Sequence, residues 1–320
     1  MATAPNKVAL IGLGSIGISF AALHLRYTDA VVAVYDPRPD LQAHLEALLP
    51  VYLDNDEKAG SVSDLLLTGR LRIAASIDDA CADAHIVQEQ GPENLAFKSS
   101  TWAQIETAAP ATAHFWSSTS GIPVAAQVAY MTDCTRLLVV HPFNPPHIMP
   151  LIEISPGPQT AAERIAFARE FFTTLGSGHR PIVLKKEVPG FVGNRLAFAL
   201  LREACHLVNE GVIDVPDLDA LVESSVGPRW AVMGPFRSYA MGGGANGLGG
   251  WFRNLSGSIQ QVWDDQGRPN MLEHGEPPAW VGNIVSATDA AYGLPSPADA
   301  EARDRALLRV IEARRDERKQ

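Results

Sequence analysis

The sequence predicts an α/β protein in which a doubly wound, mostly parallel sheet is followed by an all-helical C-terminal domain. Within residues 1–187, short apolar runs alternate with helix-like segments, and a glycine-rich turn directly follows the first run. This alternation is typical of parallel strands wrapped by helices. From residue 188 onward the pattern is helical and loop-rich. We therefore predict two domains, residues 1–187 and residues 188–320.

The composition limits the partners that this chain can have. Its 26 Lys and Arg residues are outnumbered by 36 Asp and Glu residues, so the formal net charge is −10. Such a charge argues against a nucleic acid held by a basic patch and against a polybasic membrane anchor. The expected partner is a small-molecule substrate, with no nucleic acid and no membrane.

Cysteine usage and hydropathy indicate the compartment. The three cysteines, Cys81, Cys134 and Cys205, are far apart and lack C-x-x-C spacing, so they predict neither a disulfide framework nor a zinc site. The apolar run at residues 8–23 is interrupted by glycines and is too short to span a bilayer. We therefore expect a soluble, cytoplasmic protein.

The strands of the first domain follow in order from the apolar runs. Residues 8–13 predict a strand, residues 16–27 a helix and residues 30–35 a second strand. Three further runs follow, HIVQE, HFWSS and RLLVVH, the last of which ends at His141. Because these runs are apolar throughout, they are typical of strands buried on both faces of a parallel sheet. The runs PLIEIS and PIVLKK supply two more strands near the end of the sheet.

One long helix opens the second domain. Pro189 and Gly190 are a start signal, apolar residues then recur at helical spacing from Phe191 to Val208, and Gly211 is a stop signal. The sequence therefore predicts a single, largely buried helix in this segment.

The glycine-rich turn GLGSIG follows a predicted strand and opens a predicted helix. This is the context of a dinucleotide-binding loop in a Rossmann-type domain. Gly12 is expected to make the tight turn, Gly14 to let the backbone approach a pyrophosphate, and Gly17 to let the helix pack closely. Because a helix N-terminus attracts phosphate, the expected cofactor contacts in this loop are Gly12, Gly14, Ser15, Ile16 and Gly17.

Asp36 ends the second predicted strand, at the distance expected for the residue that binds the adenosine ribose hydroxyls. Its charge repels a 2′-phosphate, so the sequence favours NAD over NADP. Arg38 lies two residues further on and could receive that phosphate, which weakens the preference. The alternative interpretation is a glycine-rich turn followed by an incidental aspartate.

A second candidate site begins where a predicted strand ends at His141. Dinucleotide-binding sheets hold their ligands at the carboxyl ends of the strands, which places His141 beside the nicotinamide. Pro142, Pro145 and Pro146 force a reversal of the chain. An antiparallel return through PLIEIS would bring Glu153 back beside His141. A carboxylate on one imidazole nitrogen leaves the other nitrogen free as a base.

Other interpretations of these residues stay open. A histidine at a strand end is often structural, and an inward glutamate can pair with an arginine. A metal site from His141, His147 and Glu153 is conceivable, although the prolines prevent helical ligand spacing and no cysteine is close; we expect no metal. A Ser-His-acid hydrolase is disfavoured because no G-x-S-x-G motif occurs.

Five motifs together resemble one family. They are GLGSIG, HIVQEQGPENLAFK, SSTSGI, HPFNPPHIMPLIE and EVPGFVGNRL. In this combination they are similar to the 3-hydroxyacyl-CoA dehydrogenase superfamily over nearly the whole chain. They are most similar to the branch that holds lambda-crystallin (L-gulonate 3-dehydrogenase) and the bacterial carnitine dehydrogenases. The resemblance implies an NAD-dependent oxidoreductase that interconverts a 3-hydroxy acid and its 3-oxo form.

The resemblance also implies a role for individual residues. His141 would be the catalytic acid/base and Glu153 its orienting partner. Ser120, in SSTSGI, and Asn194, in GFVGNR, would hydrogen-bond the reacting oxygen of the substrate and help to place the nicotinamide. The residues that resemble further NAD contacts are Glu93, Lys98, Ser120 and Asn144.

The substrate is expected to be a small, polar, free 3-hydroxy acid. Residues 41–61 carry Glu46, Asp54, Asp56 and Glu57 against the single Lys58, which is a poor surface for the polyphosphate of CoA. The stretch FRSYAMGGGANGLGGWF also resembles the crystallin and carnitine branch. The alternatives are a 3-hydroxyacyl-CoA substrate, and a non-catalytic, crystallin-like structural protein that binds NAD.

Candidate substrate contacts lie in the sequence RWA. Arg229 would clamp a substrate carboxylate through its guanidinium, and an ion pair elsewhere in the protein is the competing interpretation. Trp230 and Trp251 would flank the substrate or offer a cation–π face to a quaternary ammonium, unless they belong to the core or to a dimer interface. The apolar, tryptophan-bearing second domain indicates a homodimer.

Overall fold

A computed structural model describes residues 5–53 and 60–317 of the chain. The chain divides into two compact units, Met1–Arg195 and Leu196–Gln320. The first unit contains a sheet covered by helices, and the second unit is helical. This architecture confirms the predicted fold class, a doubly wound sheet followed by an all-helical domain.

Among the described residues the sheet has eight strands, in the order β3-β2-β1-β4-β5-β6-β7-β8. Neighbouring strands are parallel except β6 and β7, which are antiparallel. The strands are Lys7–Ile11 (β1), Val31–Tyr35 (β2), Leu71–Ile73 (β3), Ile86–Glu89 (β4), His114–Ser117 (β5), Leu137–Pro142 (β6), Leu151–Pro156 (β7) and Arg180–Val183 (β8).

The helices of the first unit connect these strands. They are Ser15–Tyr27 (α1), Leu41–Tyr52 (α2), Val62–Leu67 (α3), Ile77–Cys81 (α4), Leu95–Ala108 (α5), Val124–Gln127 (α6) and Ala162–Thr174 (α7). A longer helix, Gly193–Asn209 (α8), contains the division between the two units. The helices of the second unit are Val215–Ser224 (α9), Val226–Val232 (α10), Pro235–Gly242 (α11), Gly247–Asp265 (α12), Ala279–Tyr292 (α13) and Pro297–Glu317 (α14).

The central strands of the sheet are buried on both faces. In β1, Val8 and Leu10 belong to one buried apolar cluster, whereas Ala9 and Ile11 belong to another. Successive side chains of a strand point to opposite faces, so the two clusters lie on the two sides of the sheet.

The strand order reverses beside β1, with β2 on one side and β4 on the other. Ile11 and Glu89, the last residues of β1 and β4, are partners in the register of the sheet. In doubly wound sheets, ligands bind at this switch point, outside the carboxyl ends of the strands. The loops that follow β1 and β4 are therefore the expected ligand-binding loops of this fold.

The structure differs from the predicted strands at β3. This strand has three residues, LRI, with Arg72 between two apolar residues. It is too short and too polar to give an apolar-run signal.

The predicted reversal is present, because β6 and β7 pair antiparallel with His141 opposite Glu153.

The long helix also differs from its prediction. It ends two residues before Gly211, which has a φ of +68°, in agreement with the predicted stop signal. It begins at Gly193 rather than near Pro189, because Gly190 and Phe191 both have positive φ values. The prediction that the helix is largely buried is wrong for the single chain, since no residue of α8 is buried by the described residues.

Two further expectations concern membranes and phosphates. Within residues 5–53 and 60–317, no helix combines the length and the apolar character needed to cross a membrane. Of the acidic stretch expected to disfavour a polyphosphate, Glu46 lies in α2. Asp54, Asp56, Glu57 and Lys58 lie outside the described residues.

Candidate active site

The glycine loop after β1 presses against the loop after β4. Gly12 has a φ of +96°, a conformation that favours glycine. A Cβ on Gly12 would lie 3.0 Å from backbone atoms of Gln90 and Gly91. The N–H of Gln90 donates to the carbonyl of Ile11 at 2.8 Å. Glycine is therefore required at position 12 by both its conformation and its surroundings.

Gly14 and Gly17 differ in what surrounds them. A Cβ on Gly17 would lie 2.0 Å from the carbonyl oxygen of Gly12, so the close packing of α1 on the loop requires glycine there. A Cβ on Gly14 would meet no described atom within 4 Å. Ser15 and Ile16 form the first turn of α1, whose N–H groups favour phosphate. The loop therefore fits a dinucleotide pyrophosphate lying against Gly14.

Asp36 is held beside this loop. Its Oδ2 accepts the N–H of Leu13 at 2.8 Å, and its Oδ1 accepts the backbone N–H of Arg38 at 3.1 Å and the Nε–H of Arg38 at 3.0 Å. Burial works to raise the pKa of Asp36, but the hydrogen bonds from Leu13 and Arg38 hold the pKa below its usual range. Asp36 is therefore a charged acceptor at neutral pH, and Arg38 is already engaged by it.

His141 and Glu153 form a buried pair where β6 and β7 meet. The two residues are partners in the register, and His141 Nδ1 lies 2.9 Å from Glu153 Oε2. Their side chains are 5% and 3% exposed. When Nδ1–H donates to the carboxylate, Nε2 of the neutral imidazole carries the free lone pair. The pair therefore has the geometry of an oriented general base.

The second oxygen of Glu153 binds the start of α8. Glu153 Oε1 accepts the N–H of Val192 at 2.9 Å and the N–H of Gly193 at 3.0 Å. Helix N-termini carry N–H groups that lack a partner within the helix, and a carboxylate satisfies them. Burial alone would raise the pKa of Glu153, but the hydrogen bonds from His141, Gly193 and Val192 bring the pKa below its usual value. The carboxylate is charged and joins His141 to the helix.

Ser120 and Asn194 meet at the same helix start. Asn194 follows Gly193 and donates from Nδ2 to the carbonyl of Ser120 at 2.8 Å. Ser120 is exposed and Asn194 is half-buried. Because Gly193 is bound by Glu153, the residues that converge around the start of α8 are Ser120, His141, Glu153 and Asn194. Asn144 is exposed in the reversal after β6, where its peptide bond to Pro145 is cis.

Two aromatic rings lie next to the imidazole of His141. The ring centroid of Phe143 is 5.7 Å away and that of Phe191 is 5.3 Å away. Phe191 is fully buried and has a φ of +51°, an uncommon conformation for a bulky residue. Strained residues of this kind cluster at functional sites. The apolar surroundings strengthen the hydrogen bond between His141 and Glu153.

Lys98 and Glu93 occupy different surroundings. Lys98 is buried, and its Nζ lies 2.9 Å from both carboxylate oxygens of Glu89. Glu93 is 44% exposed, and its Oε2 lies 3.9 Å from Lys98 Nζ. Its Oε1 accepts the N–H of Ser120 at 3.2 Å and the N–H of Gly121 at 2.9 Å. The sequence-based interpretation missed Glu89, although a charge at the end of HIVQE is the same signal that pointed to Glu153.

The candidate substrate contacts lie in the second unit. Arg229 and Trp230 are on α10, where Arg229 is exposed and Trp230 is 40% exposed. Trp251, on α12, packs on Tyr239 with ring centroids 4.5 Å apart. Both helices belong to the second unit.

His147 turns to α1 instead of joining His141 and Glu153. Its Nδ1 lies 3.1 Å from Ser19 Oγ, and its backbone N–H donates to the same oxygen at 2.9 Å. In the part of the chain that the structure describes, no group of three or more His, Cys, Asp or Glu residues is arranged to hold a metal ion.

Family models match both parts of the chain. The model for the NAD binding domain of 3-hydroxyacyl-CoA dehydrogenase matches residues 7–188. The model for the C-terminal domain of 3-hydroxyacyl-CoA dehydrogenase matches residues 190–276.

Individual relatives match over almost their whole length. The chain is 35% identical to an L-carnitine dehydrogenase of Streptomyces coelicolor over 96% of this chain and 94% of the relative. It is 36% identical to an L-carnitine dehydrogenase of Pseudomonas aeruginosa, with the same coverage of 96% and 94%. A solved structure of 5-formyl-3-hydroxy-2-methylpyridine 4-carboxylic acid 5-dehydrogenase, an NAD⁺-dependent dismutase, is 30% identical. Its TM-score is 0.78, over 97% of this chain and 98% of that chain.

Proposed function

The chain belongs to the 3-hydroxyacyl-CoA dehydrogenase family, and from this premise we propose that it interconverts a small, polar, free 3-hydroxy acid and its 3-oxo form with His141 as the acid/base. It is an NAD-dependent oxidoreductase, as its NAD-binding domain and its dehydrogenase relatives establish. The observation that carries the proposed mechanism is the buried contact of 2.9 Å between His141 Nδ1 and Glu153 Oε2.

His141 performs the proton transfer in this proposal. Oxidation of a secondary alcohol requires removal of the hydroxyl proton while hydride leaves the same carbon, so a base must lie beside that hydroxyl. NAD, when bound, supplies the nicotinamide that accepts the hydride. Nε2 of His141 takes the hydroxyl proton, and the Glu153 carboxylate stabilises the imidazolium that results. In the reverse direction the protonated imidazole returns the proton to the carbonyl oxygen.

Ser120 and Asn194 hold the reacting oxygen in this mechanism. Asn194 is fixed by its hydrogen bond to the carbonyl of Ser120, and the exposed hydroxyl of Ser120 has room for a ligand. Their fixed positions reduce the entropy lost in reaching the transition state.

The proposed NAD contacts follow the loops at the switch point. The glycine loop would receive the pyrophosphate and Asp36 the ribose hydroxyls, in keeping with the open position of Gly14 and the charge of Asp36. We assign the other contacts to Glu93, Lys98, Ser120 and Asn144. The Lys98 side chain is only 1% exposed and is paired with Glu89. NAD would therefore have to reach the ammonium past Glu89. We also propose that the functional domain boundary lies at residue 188, next to the end of the first family match.

Substrate recognition is assigned to the second unit. Arg229 would bind the carboxylate as a bidentate pair, and Trp230 would flank the substrate. The L-carnitine dehydrogenases that the chain resembles act on a hydroxy acid with a quaternary ammonium, and an exposed tryptophan face attracts such a cation. L-Carnitine is therefore the first candidate, and a 3-hydroxyacyl-CoA is the competing substrate.

A substrate panel tests the proposed function. Free 3-hydroxy acids, including L-carnitine, and 3-hydroxyacyl-CoA thioesters are each assayed for NADH and NADPH formation. We expect kcat/KM for the best free acid to exceed that for the best thioester by at least about tenfold. A higher kcat/KM for a thioester would identify the enzyme as a 3-hydroxyacyl-CoA dehydrogenase. NAD binding with no turnover of any compound would favour the crystallin-like structural role.

We propose that the second unit forms a homodimer interface. Leu196, Phe198 and Leu201 on α8 are 63%, 59% and 53% exposed in the single chain, and apolar patches of this kind mark interfaces. Light scattering is expected to give a mass of about twice that of one chain. Phe198→Asp should shift the protein to monomer, whereas Leu67→Asp, at an 87% exposed position in the first unit, should not. A monomeric wild type would contradict this proposal.

We propose a cytoplasmic location. Cys81, Cys134 and Cys205 are all free thiols, which suits a reducing compartment. Cell fractionation should recover the protein together with a cytosolic marker enzyme. Recovery with the membrane or periplasmic fraction would exclude this location.

A further inference from the structure

Glu89 is a buried acidic residue that has no role in the proposed mechanism. Glu89 is the last residue of β4 and is fully buried. Its partners in the register are Ile11 at the end of β1 and Ser117 at the end of β5. Glu89 therefore lies at the switch point of the sheet, beneath the crevice in which dinucleotides bind.

Every oxygen of Glu89 has a partner. Oε1 accepts the N–H of Gly91 at 2.6 Å and the ammonium of Lys98 at 2.9 Å. Oε2 accepts Lys98 at 2.9 Å and the hydroxyl of Ser117 at 3.4 Å. Burial raises the pKa of Glu89, and the charge of Lys98 opposes that rise.

Stability does not explain why this site carries charges. Replacing a buried ion pair by apolar residues of similar volume is often neutral or stabilising. The contact between β4 and α5 would therefore be held as well by two apolar side chains. A buried pair in this position points instead to a need for the charge of Lys98 in a fixed place.

Glu93 connects that charge to the active-site turn. Its Oε2 lies 3.9 Å from Lys98 Nζ, while its Oε1 accepts hydrogen bonds from the hydroxyl of Thr119 and from the N–H groups of Ser120 and Gly121. The turn formed by residues 119–121 also holds Asn194, through the carbonyl of Ser120. One exposed carboxylate thus spans the distance between a buried ammonium and the turn that carries Ser120.

We propose that Glu89 is a positioning residue, which fixes Lys98 so that Lys98 and Glu93 together hold the 119–121 turn in place for Ser120 and Asn194. Glu89 touches neither substrate nor coenzyme in this proposal. Its role in turnover rests on the proposed function, whereas its effect on the turn does not.

A charge-neutral double variant tests the proposal. Glu89→Gln/Lys98→Met removes both charges and keeps similar volumes, so the thermal midpoint is expected to stay near that of the wild type. If the pair positions the turn, kcat/KM for the hydroxy acid should still fall by about tenfold or more. Amide hydrogen exchange of Ser120 and Gly121 in the coenzyme-free protein should become at least about tenfold faster. Wild-type values of both kcat/KM and amide exchange in the double variant would overturn the proposal.

The single variants and a control sharpen the result. Glu89→Gln alone leaves Lys98 buried without its main partner, so it should lower the thermal midpoint as well as turnover. Arg72→Gln/Asp79→Asn removes an ion pair of 2.8 Å near Lys7 at the amino end of β1, and it should change neither turnover nor the exchange of residues 120 and 121.

A second variant keeps the proposal testable if the double variant does not fold. Glu93→Ala alters a side chain that is 44% exposed, so folding is expected to survive. It should release the 119–121 turn, again with about tenfold faster amide exchange in the absence of coenzyme. Unchanged exchange in this variant would refute the connection from Lys98 to the turn. The exchange measurement needs no substrate, so an inactive wild type would count against the proposed function alone.

Discussion

At the scale of single residues, the site depends on acidic side chains placed where an apolar strand ends. Glu153 and Glu89 are both buried, and each one accepts hydrogen bonds at both oxygens. A buried carboxylate without partners is costly, so each one requires hydrogen-bond donors around it. Glu153 orients an imidazole, whereas Glu89 binds an ammonium.

Glu153→Gln should separate the charge of this residue from its shape. The amide oxygen is expected to go on accepting hydrogen bonds from the N–H groups of Val192 and Gly193. The NH₂ group then faces His141 Nδ1. That nitrogen must then accept, so the proton moves to Nε2 and the base is lost. We expect kcat to fall by roughly 10²- to 10⁴-fold. Steady-state kinetics measure this loss.

Glu163→Gln, on the exposed face of α7, is the matched control and should behave as the wild type. Wild-type kcat in Glu153→Gln would show that this carboxylate has no part in catalysis.

The sequence reveals some of these residues better than others. Glu153 was found because a charge stands among the apolar residues of PLIEI, and the register that brings it to His141 follows from the prolines before it. Glu89 gives the same signal in HIVQE, but the run as a whole predicts an apolar strand. Its partner Lys98 lies nine positions further along, in a helix, so only the tertiary structure shows that the two charges meet.

At the scale of elements, the glycine loop shows that three glycines in one motif meet different requirements. Gly12 and Gly17 are enclosed by protein atoms, whereas Gly14 is open. Spacing alone predicts the loop, but it does not tell which glycine serves folding and which one serves the ligand.

Gly14→Ala and Gly17→Ala should therefore have opposite consequences. Gly17→Ala puts a Cβ 2.0 Å from a carbonyl oxygen, and an overlap of this kind in the interior should destabilise the protein by several kcal/mol, roughly 3 or more. Gly14→Ala should change the free energy of unfolding by less than about 1 kcal/mol and weaken NAD binding by about tenfold or more. Urea unfolding and NAD titration by fluorescence distinguish the two effects. Equal losses of stability in both variants would contradict this distinction.

Strand and helix boundaries were predictable to the extent that apolar runs define them. The antiparallel turn from β6 to β7 follows from three prolines and an apolar return strand. Strand β3 was missed because Arg72 stands in the middle of only three residues. The start of α8 differs from the prediction because Gly190 and Phe191 have positive φ values. Phe191 packs on His141, a contact that apolar spacing does not reveal.

At the scale of the whole molecule, buried histidines link folding to pH. His24 and His114 both lie in the first unit, and burial is the largest cause that lowers their pKa values, to about 4 for His24 and about 3 for His114. A histidine with a depressed pKa is neutral in the folded protein. Its contribution to stability is complete above the unfolded value near pH 6.5 and is lost as the pH falls toward the folded value.

The free energy of unfolding should therefore decrease as the pH is lowered from 6.5 to 5, by about 1.4 kcal/mol per pH unit for each histidine. Urea midpoints at several pH values measure this slope. His114→Phe keeps the stacking on Phe167, whose ring centroid lies 3.7 Å away, and should make the slope shallower by about 1 kcal/mol per pH unit. Equal midpoints at pH 7.5 and pH 5, within experimental error, would contradict the assignment of neutral buried histidines.

The second unit is where single-chain reasoning from the sequence is least complete. The apolar spacing of α8 predicts a largely buried helix, yet no residue of α8 is buried in the single chain. Apolar periodicity reports that a face must be covered but does not say whether the same chain covers it. The exposed positions of Leu196 and Phe198 make a second copy of this chain the proposed cover.

The central claim is that His141 is the acid/base of an NAD-dependent hydroxy acid dehydrogenase, and His141→Asn tests it most directly. The measurement is kcat/KM for the hydroxy acid identified in the substrate panel, together with the dissociation constant for NAD. We predict that kcat/KM falls by roughly 10²- to 10⁴-fold, while NAD binding changes by less than about threefold because the glycine loop and Asp36 are untouched. A variant that retains wild-type kcat/KM would contradict the account.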